Sequence, residues 1–352
     1  MNESRKPSSV IISDRDPGLP YSKGLMASRV MATGLSAIRA YQVAERIEEV
    51  LLERGQPAVT SVELGEVAVD VLRDRAGDRY AKNYVRWQRV ERLDVPLVIL
   101  IGGATGVGKS TIATQLATRL GIVRTVATDA VREVMRAMFS PELMPSLHTS
   151  SFQAGGMLRE SGLQGTDRVI AGFREQTAAV AVGLNAFLDR AALEGTSVII
   201  EGAHMVPGFV DLDSTKGRVL AIPVVVTVED EDVHRSHFVV RATDVNTRPT
   251  ERYARGFENI RRIQKFIRSQ ALSHGVPVIP NYSLDQAIAG VLDLVVERAT
   301  QHDEAGDRKA GDDAVVLPEP APATAAGTGA SGANEEESAG HESVAPSTGS
   351  ST

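Results

Sequence analysis

The sequence predicts an α/β protein in which a mostly parallel five-stranded sheet flanked by helices is preceded by a small, mainly helical domain. Three observations predict this fold. From Leu97 to Ala299 short apolar strands alternate with helical segments, the pattern before Leu97 is helical, and a glycine-rich loop joins the first of these strands to a helix. Because strands separated by helices are joined by crossover connections, they run parallel and carry helices on both faces.

The first domain is predicted over residues 9–93. In SAIRAYQVAERIEEVLLERG the apolar residues recur on one helical face, and the pattern ends at Gly55. A short strand and a turn at Pro17–Gly18 come before it, and two further helices follow, the first capped by Thr60 or Ser61. About 80 residues of mostly helical chain are enough for a small separate domain.

The second domain is predicted over residues 94–300. We expect its ligands to lie beyond the carboxyl ends of the parallel strands. The predicted strands are Leu97–Gly102, Val123–Ala127, Ser197–Ile200, Val219–Val228 and Val276–Ile279. The predicted helices are at about Lys109–Leu120, Thr128–Ala137, Asp167–Glu194, Glu229–Arg241, Thr250–Ser273 and Leu284–Ala299.

The acidic charge of the chain is concentrated at its C-terminal end. The formal charge is −7, and the segment from Gln301 onward carries ten acidic and two basic residues, or −8, which leaves the body at about +1. This segment is rich in Ala, Gly, Ser, Pro and Glu and has few side chains to bury, so residues 301–352 are predicted to be a disordered acidic tail.

Composition excludes several classes of function. There is no cysteine, so the chain has neither a disulfide framework nor a thiolate metal site or nucleophile. No apolar run approaches the ~20 residues that span a bilayer, and no secretory signal follows the first residues. The sequence therefore predicts a cytoplasmic protein that does not bind membranes, and it leaves the oligomeric state open, a homo-oligomer included.

The glycine-rich loop matches a phosphate-binding motif. Gly103–Ser110 fits G-x-x-x-x-G-K-[ST], follows an apolar strand and opens a helix. Its backbone N–H groups can surround phosphates, Lys109 can reach the β and γ phosphates, and the Ser110 hydroxyl can coordinate Mg²⁺. The motif predicts ATP and Mg²⁺ as ligands. The predicted nucleotide-binding residues are Gly103, Ala104, Thr105, Gly106, Val107, Gly108, Lys109, Ser110 and Thr111, with Lys109 also catalytic.

Two acids follow predicted strands at the edge where the phosphates should lie. Asp129 comes about twenty residues after Lys109 and is interpreted as a group that orients or deprotonates an acceptor hydroxyl or helps to hold Mg²⁺. The alternative for Asp129 is an acid that stabilises a helix N-terminus. Glu201 ends an apolar strand and is interpreted as a carboxylate that holds Mg²⁺ together with Ser110.

An arginine-rich segment suggests a lid. Arg241, Arg248 and Arg252 flank a short polar stretch between two helical patterns, where arginines could close over the nucleotide, and Arg248 is predicted to be catalytic. The basic residues that follow are interpreted as a solvated helix face: Arg255, Arg261, Arg262, Lys265 and Arg268. No aromatic residues interleave to stack bases, so nucleic acid is not predicted as a ligand.

Further polar residues are candidates for an anionic substrate. The predicted substrate-binding residues are Asp129, Arg132, His148, Thr149, Ser150, Ser151, Arg241 and Arg252. His234 and His237 lie three apart on a predicted helix without a third metal ligand, so they are interpreted as structural. Pro280–Asn281 follows the last strand, and either contact with adenine or turn chemistry explains it.

Five segments together resemble the 2-phosphoglycerate kinase family of P-loop kinases: GGATGVGKSTIATQLATRLGI, TDAVREVMR, LHTSSF, VIIEGAHMVPG and RYARGFENIRRIQ. The similarity covers about Ser9 to Arg298. In that family PYSKGLMASRV belongs to a domain similar to the ATP-cone, a nucleotide-sensing module. The resemblance implies transfer of the ATP γ-phosphoryl group to the free 3-hydroxyl of 2-phosphoglycerate, which gives 2,3-bisphosphoglycerate.

Two alternatives remain open at this stage. The first is a P-loop kinase for another small acceptor, such as a sugar, polyol or nucleoside. The second is a nucleotide-dependent switch that uses ATP binding to change its contacts with a partner, since a P-loop serves either role.

Overall fold

The computed structural model describes residues 10–14, 18–91, 93–158, 167–244 and 250–313. The described residues as far as Arg308 form one compact unit. Within this unit the helical N-terminal part has a hydrophobic core of its own, and its Ala32, Trp87 and Val90 also join the core of the sheet-containing part. None of the described helices is both long enough and apolar enough to cross a membrane.

The N-terminal part combines a small sheet with four helices. Strand β1 pairs antiparallel with β2 and parallel with β3, and Thr60 caps α3 through a capping box with Glu63. The core beneath the helices is apolar and includes the fully buried Ile47, Leu51 and Leu72. The elements are β1 (Ile11–Ile12), β2 (Leu19–Pro20), α1 (Lys23–Met31), α2 (Ala37–Glu53), β3 (Ala58–Val59), α3 (Ser61–Arg75) and α4 (Asp78–Glu91).

The second part is built on five parallel strands, as the alternating pattern predicts, and their order in the sheet is β5-β6-β4-β7-β8. Three short 3-10 helices, at Pro145–His148, Ala154–Met157 and Asp213–Thr215, lie in its connections. Its main elements are β4 (Leu97–Gly102), α5 (Lys109–Leu120), β5 (Arg124–Ala127), α6 (Thr128–Met138), α7 (Arg168–Glu194), β6 (Val198–Gly202), β7 (Leu220–Thr227), α8 (Glu231–Asp244), α9 (Thr250–Ser273), β8 (Val278–Pro280) and α10 (Leu284–Asp313).

The central strand β4 shows why the sheet carries helices on both faces. All six of its residues are buried. Ile99 and Ile101 pack into the core on one face, and Val98 and Leu100 pack into the core on the other face. A strand that is apolar on both faces needs cover on both sides, as is typical of parallel sheets.

The last helix is longer than the sequence pattern indicates. Helix α10 runs to Asp313, beyond residue 300, at which the second domain is predicted to end. Two contacts support the continued helix. Gln301 Nε2 donates to Glu297 Oε1 one turn earlier at 3.2 Å, and His302 Nε2 lies 3.1 Å from Asp94 Oδ1, just before β4. Residues 314–352 of the predicted tail lie outside the described residues.

Helix α7 offers a matched test of the core. Leu184 is fully buried, whereas Leu193 on the same helix is 81% exposed. We expect Leu184→Ala to lower the free energy of unfolding by about 2–5 kcal/mol, because it leaves a cavity, and Leu193→Ala to change it by less than about 0.5 kcal/mol. Urea unfolding of both variants measures the difference. Equal losses would contradict the described packing of α7.

Candidate active site

A cavity of about 660 Å³ lies at the carboxyl ends of the parallel strands. Its walls come from the glycine-rich loop, the first turns of α6, the loop at residues 148–152, the end of β6 and the start of α9. It brings together most of the residues predicted to bind nucleotide, metal or substrate: Thr105, Gly106, Lys109, Ser110, Asp129, Arg132, His148, Thr149, Ser150, Ser151, Glu201 and Arg252.

The glycine-rich loop has the backbone that its sequence requires. Gly103 has φ 143° and Gly106 has φ 86°, values that side-chain-bearing residues rarely adopt. A Cβ at Gly103 would also collide with the Val226 carbonyl oxygen, and one at Gly106 would collide with the Phe238 ring. The Lys109 side chain is buried at the start of α5, and its Nζ donates to Ala104 O at 2.8 Å.

Three side chains hold this loop from outside, and we call them the loop clamp: His234, His237 and Asn281. His234 Nε2 donates to Thr105 O, His237 Nδ1 donates to Gly106 O and Asn281 Nδ2 donates to Val107 O, each at 2.9 Å. The C=O and N–H groups of one trans peptide unit point in opposite directions. The N–H groups of the three peptide units whose carbonyls bind the clamp therefore face away from it. Such free N–H groups are what a phosphate-binding loop needs.

The clamp was only partly predictable. The structural interpretation of His234 and His237 agrees with their hydrogen bonds to backbone carbonyls. Asn281 contributes its side chain to the loop, which neither interpretation of Pro280–Asn281 anticipated. The only sequence signal was the position of Asn281 directly after a strand end.

The protonation of His234 follows from its neighbours. Its Nδ1 lies 3.3 Å from Arg261 Nη1, and because guanidinium nitrogens only donate, Nδ1 must accept and Nε2 must carry the proton. The pKa of His234 is lowered to about 4, mainly by burial and in smaller part by the nearby Arg261 charge. Arg261 itself is buried and donates to Val228 O and Glu229 O at 2.6 Å each, so placing it on the solvated face was wrong.

A hydroxyl and a carboxylate meet beside Lys109. Ser110 Oγ donates to Glu201 Oε1 at 2.8 Å. Glu201 lies near the end of β6, where it is in register with Ala127 of β5 and Ile101 of β4. Two hard oxygen donors next to a phosphate loop fit Mg²⁺, which takes few protein ligands and completes its shell with water and phosphate oxygens.

Asp129 stands in the first turn of α6 with its side chain 68% exposed. Arg132 Nε lies 3.8 Å from Asp129 Oδ1. The mostly buried Arg132 also donates from Nη1 to Leu147 O at 2.7 Å and to Thr149 O at 3.1 Å. Arg132 therefore links the acid to the loop at residues 148–151.

A buried network behind Asp129 was not predicted. Gln176 Nε2 donates to Ser146 O and to Thr149 O, so Gln176 Oε1 must accept from His204 Nε2 at 2.9 Å. His204 Nδ1 then accepts from Thr128 Oγ1 at 3.0 Å, and burial lowers the pKa of His204 to about 4. A neutral histidine thus connects the start of α6 to the polar loop. Its one sequence signal was its place in VIIEGAH, three residues after Glu201.

The remaining candidate residues are partly described. Arg252 donates from Nε and Nη2 to Gln153 Oε1 at 3.1 and 2.8 Å, and Ser150 Oγ donates to the same oxygen at 2.8 Å. His148 Nε2 donates to Phe139 O at 2.9 Å. Arg248 lies outside the described residues, as does the side chain of Arg241, so the lid stays a prediction.

The parallel sheet, the phosphate loop and the adjoining hydroxyl–carboxylate pair are those of a P-loop kinase, an enzyme that transfers a phosphoryl group from a nucleotide. The chain is 37% identical to a 2-phosphoglycerate kinase of Pyrococcus furiosus over 292 residues, which is 83% of this chain and 94% of the relative. A 2-phosphoglycerate kinase of Methanothermobacter thermautotrophicus is 39% identical over 291 residues, with 82% and 94% covered. The chain belongs to the 2-phosphoglycerate kinase family.

Two further comparisons add little. No protein-family model matches the sequence. A gluconokinase from Sinorhizobium meliloti is similar in structure, with 14% sequence identity, a TM-score of 0.35, and coverage of 61% of this chain and 98% of that chain. The fold class therefore rests on the sheet and the loop described above.

The clamp can be tested at His234. We expect His234→Leu to weaken ATP binding about tenfold, because it leaves Thr105 O without its donor and removes one acceptor of the Arg261 guanidinium. His234→Gln places an amide donor and an acceptor oxygen at similar positions and should weaken binding less than about threefold. Calorimetric titration with ATP compares the two variants. Wild-type affinity in His234→Leu would contradict a role of the clamp in nucleotide binding.

Proposed function

We propose that this protein transfers the γ-phosphoryl group of ATP to the 3-hydroxyl group of 2-phosphoglycerate, giving 2,3-bisphosphoglycerate and ADP. Relatives that share over a third of their residues with this chain across most of their length are named 2-phosphoglycerate kinase. The observation that carries the proposal is the single cavity shared by Lys109 and Ser110 on one side and Asp129, Arg132 and Arg252 on the other.

The charges of the cavity suit this acceptor. 2-Phosphoglycerate carries a carboxylate and a phosphate, so its binding needs cations and hydrogen-bond donors near the acceptor hydroxyl. Arg132 and Arg252 both line the cavity, together with the hydroxyl groups of Thr149, Ser150 and Ser151. This side of the cavity therefore offers arginines and hydroxyl donors, and an uncharged polyol would not require the arginines.

The proposed step is an in-line phosphoryl transfer. The acceptor oxygen forms a bond to the γ-phosphorus while the bond from that phosphorus to the β–γ bridging oxygen breaks, and ADP leaves with the bonding electrons. Asp129 orients the acceptor hydroxyl and takes its proton. Lys109 and the N–H groups of the loop bind the phosphate oxygens on which negative charge is carried.

Mg²⁺ belongs to the proposal because Ser110 Oγ and Glu201 Oε1 lie side by side. These two oxygens would hold the ion, Glu201 directly or through water. When bound, Mg²⁺ neutralises part of the charge on the β and γ phosphates. Lys109 and the clamped loop then bind and orient the triphosphate as described.

The proposal is tested by ADP release from Mg²⁺-ATP with a panel of small acceptors: 2-phosphoglycerate, 3-phosphoglycerate, glycerate, gluconate and a nucleoside. We expect turnover that 2-phosphoglycerate stimulates most and that Lys109→Ala abolishes. Stimulation by another acceptor alone would replace the substrate but keep the kinase. ATP binding without stimulation by any acceptor would overturn the proposal and favour the nucleotide-dependent switch.

The role of Asp129 gives a separate prediction. We expect Asp129→Asn to reduce kcat about 10²- to 10⁴-fold while the dissociation constant for ATP stays within about twofold, because only the hydroxyl proton loses its acceptor. Asp70→Asn, at an exposed acid of α3, is the matched control and should keep full activity. Unchanged kcat in Asp129→Asn would mean that Asp129 serves only the N-terminus of α6.

A further inference from the structure

A second polar cavity, of about 420 Å³, lies where α2 and α4 of the N-terminal part meet α5 and α10. Small-molecule sites commonly have volumes of about 300–1,000 Å³, so this space can hold a compact ligand. It shares no lining residue with the cavity at the phosphate loop. We call it the seam cavity.

Three arginines line the seam cavity. Arg79 and Arg86 come from α4, and Arg119 comes from the last turn of α5. Within the described part of the chain none of them forms an ion pair with Asp285 or Asp293, the two acids that line the same cavity. Because the arginines and the two acids line one cavity without pairing, a ligand can bind between them.

Of the three arginines, Arg119 gives the strongest indication of an anion-binding site. Its Nε is buried and has no hydrogen-bond partner among the described residues. A buried donor without a partner costs about 1–3 kcal/mol, and an anion bound at the terminal nitrogens of the same guanidinium group would offset part of that cost by placing negative charge beside it. The guanidinium group is planar and always charged, which suits it to phosphate oxygens.

The N-terminus of α2 adds backbone donors to the same cavity. Ser36 and Ala37 line it, the Ser36 side chain makes no capping hydrogen bond, and the first turn of α2 contains no acid. The first N–H groups of this 17-residue helix are therefore not capped by its own side chains. Helix N-termini favour anions, so this end supports the arginines.

We propose that the seam cavity binds a small organic phosphate. Its phosphate group lies against Arg79, Arg86 and Arg119, and its hydroxyl or amino donors face Asp285 and Asp293. The two carboxylates disfavour a bare inorganic anion, because it would be repelled without giving them a donor. A sugar phosphate and a nucleotide share the required chemistry, namely a phosphate at one end and donors at the other.

The position of Arg119 gives the site a means of regulation. Helix α5 begins at Lys109 of the phosphate loop and carries Arg119 in its last turn. A ligand in the seam cavity would bind one end of the helix whose other end binds ATP. If binding at the two ends is coupled, the ligand in the seam cavity changes the affinity for ATP by a certain factor. By linkage, ATP then changes the affinity for that ligand by the same factor.

The test uses the full chain with Lys109→Ala, which weakens nucleotide binding at the phosphate loop. Calorimetric titrations with AMP, ribose 5-phosphate and inorganic phosphate give the affinities. We expect saturable binding of at least one organic phosphate, tighter than that of inorganic phosphate. Binding of AMP alone would identify a nucleotide site, and binding of both organic phosphates would show that ribose and phosphate suffice.

Variants then locate the site. In the Lys109→Ala background, Arg86→Gln should weaken the organic phosphate about tenfold or more, whereas Arg190→Gln, at an exposed arginine of α7, should leave it unchanged. Arg86 is exposed, so its replacement loses little packing, and Arg119→Gln provides a second variant. Absence of saturable binding, equal affinity for inorganic phosphate, or binding that neither variant weakens would overturn the proposal.

Discussion

Three hydrogen bonds to successive carbonyls of the phosphate loop are the constraint on which the candidate active site depends. They fix the loop backbone between β4 and α5 and leave the following N–H groups free for phosphate. Two donors come from α8 and one from the turn after β8, so the loop is shaped by elements more than 120 residues away in the sequence. The loop backbone also depends on the positive φ angles at Gly103 and Gly106. A side chain at either position would collide with the residues packed against the loop.

Two neutral histidines support the two sides of the site, one histidine on each side. His234 supports the nucleotide side, where its Nε2–H holds the loop, and His204 supports the acceptor side, where it joins Thr128 to Gln176. Burial lowers the pKa of each to about 4, so both keep the single ring proton that their hydrogen bonds require near neutral pH. Charging His234 would place a second N–H against the Arg261 guanidinium, which only donates.

Sequence patterns sufficed for the sheet, and most of the candidate residues that they suggested line one cavity. The strands predicted from apolar runs agree with the structure to within two residues at every end, because buried parallel strands and their helices have distinct local patterns. No local sequence pattern predicts the contacts of the clamp, of the buried Arg261 or of Gln176. Their hydrogen bonds join side chains to backbone atoms far apart in the sequence, and neither periodicity nor a motif encodes such contacts. The length of α10 was also missed, because its contact with Asp94 is a long-range one.

In the proposed reaction the cavity joins a nucleotide side to an acceptor side, and the phosphoryl group crosses between them. The most direct measurement is phosphorus-31 NMR of the wild-type protein with Mg²⁺-ATP and 2-phosphoglycerate. We predict that the γ-phosphate signal is replaced by a new phosphate ester on C3 of glycerate, in a one-to-one ratio with ADP. Appearance of the γ-phosphate as inorganic phosphate, or no change in ATP, would contradict the account.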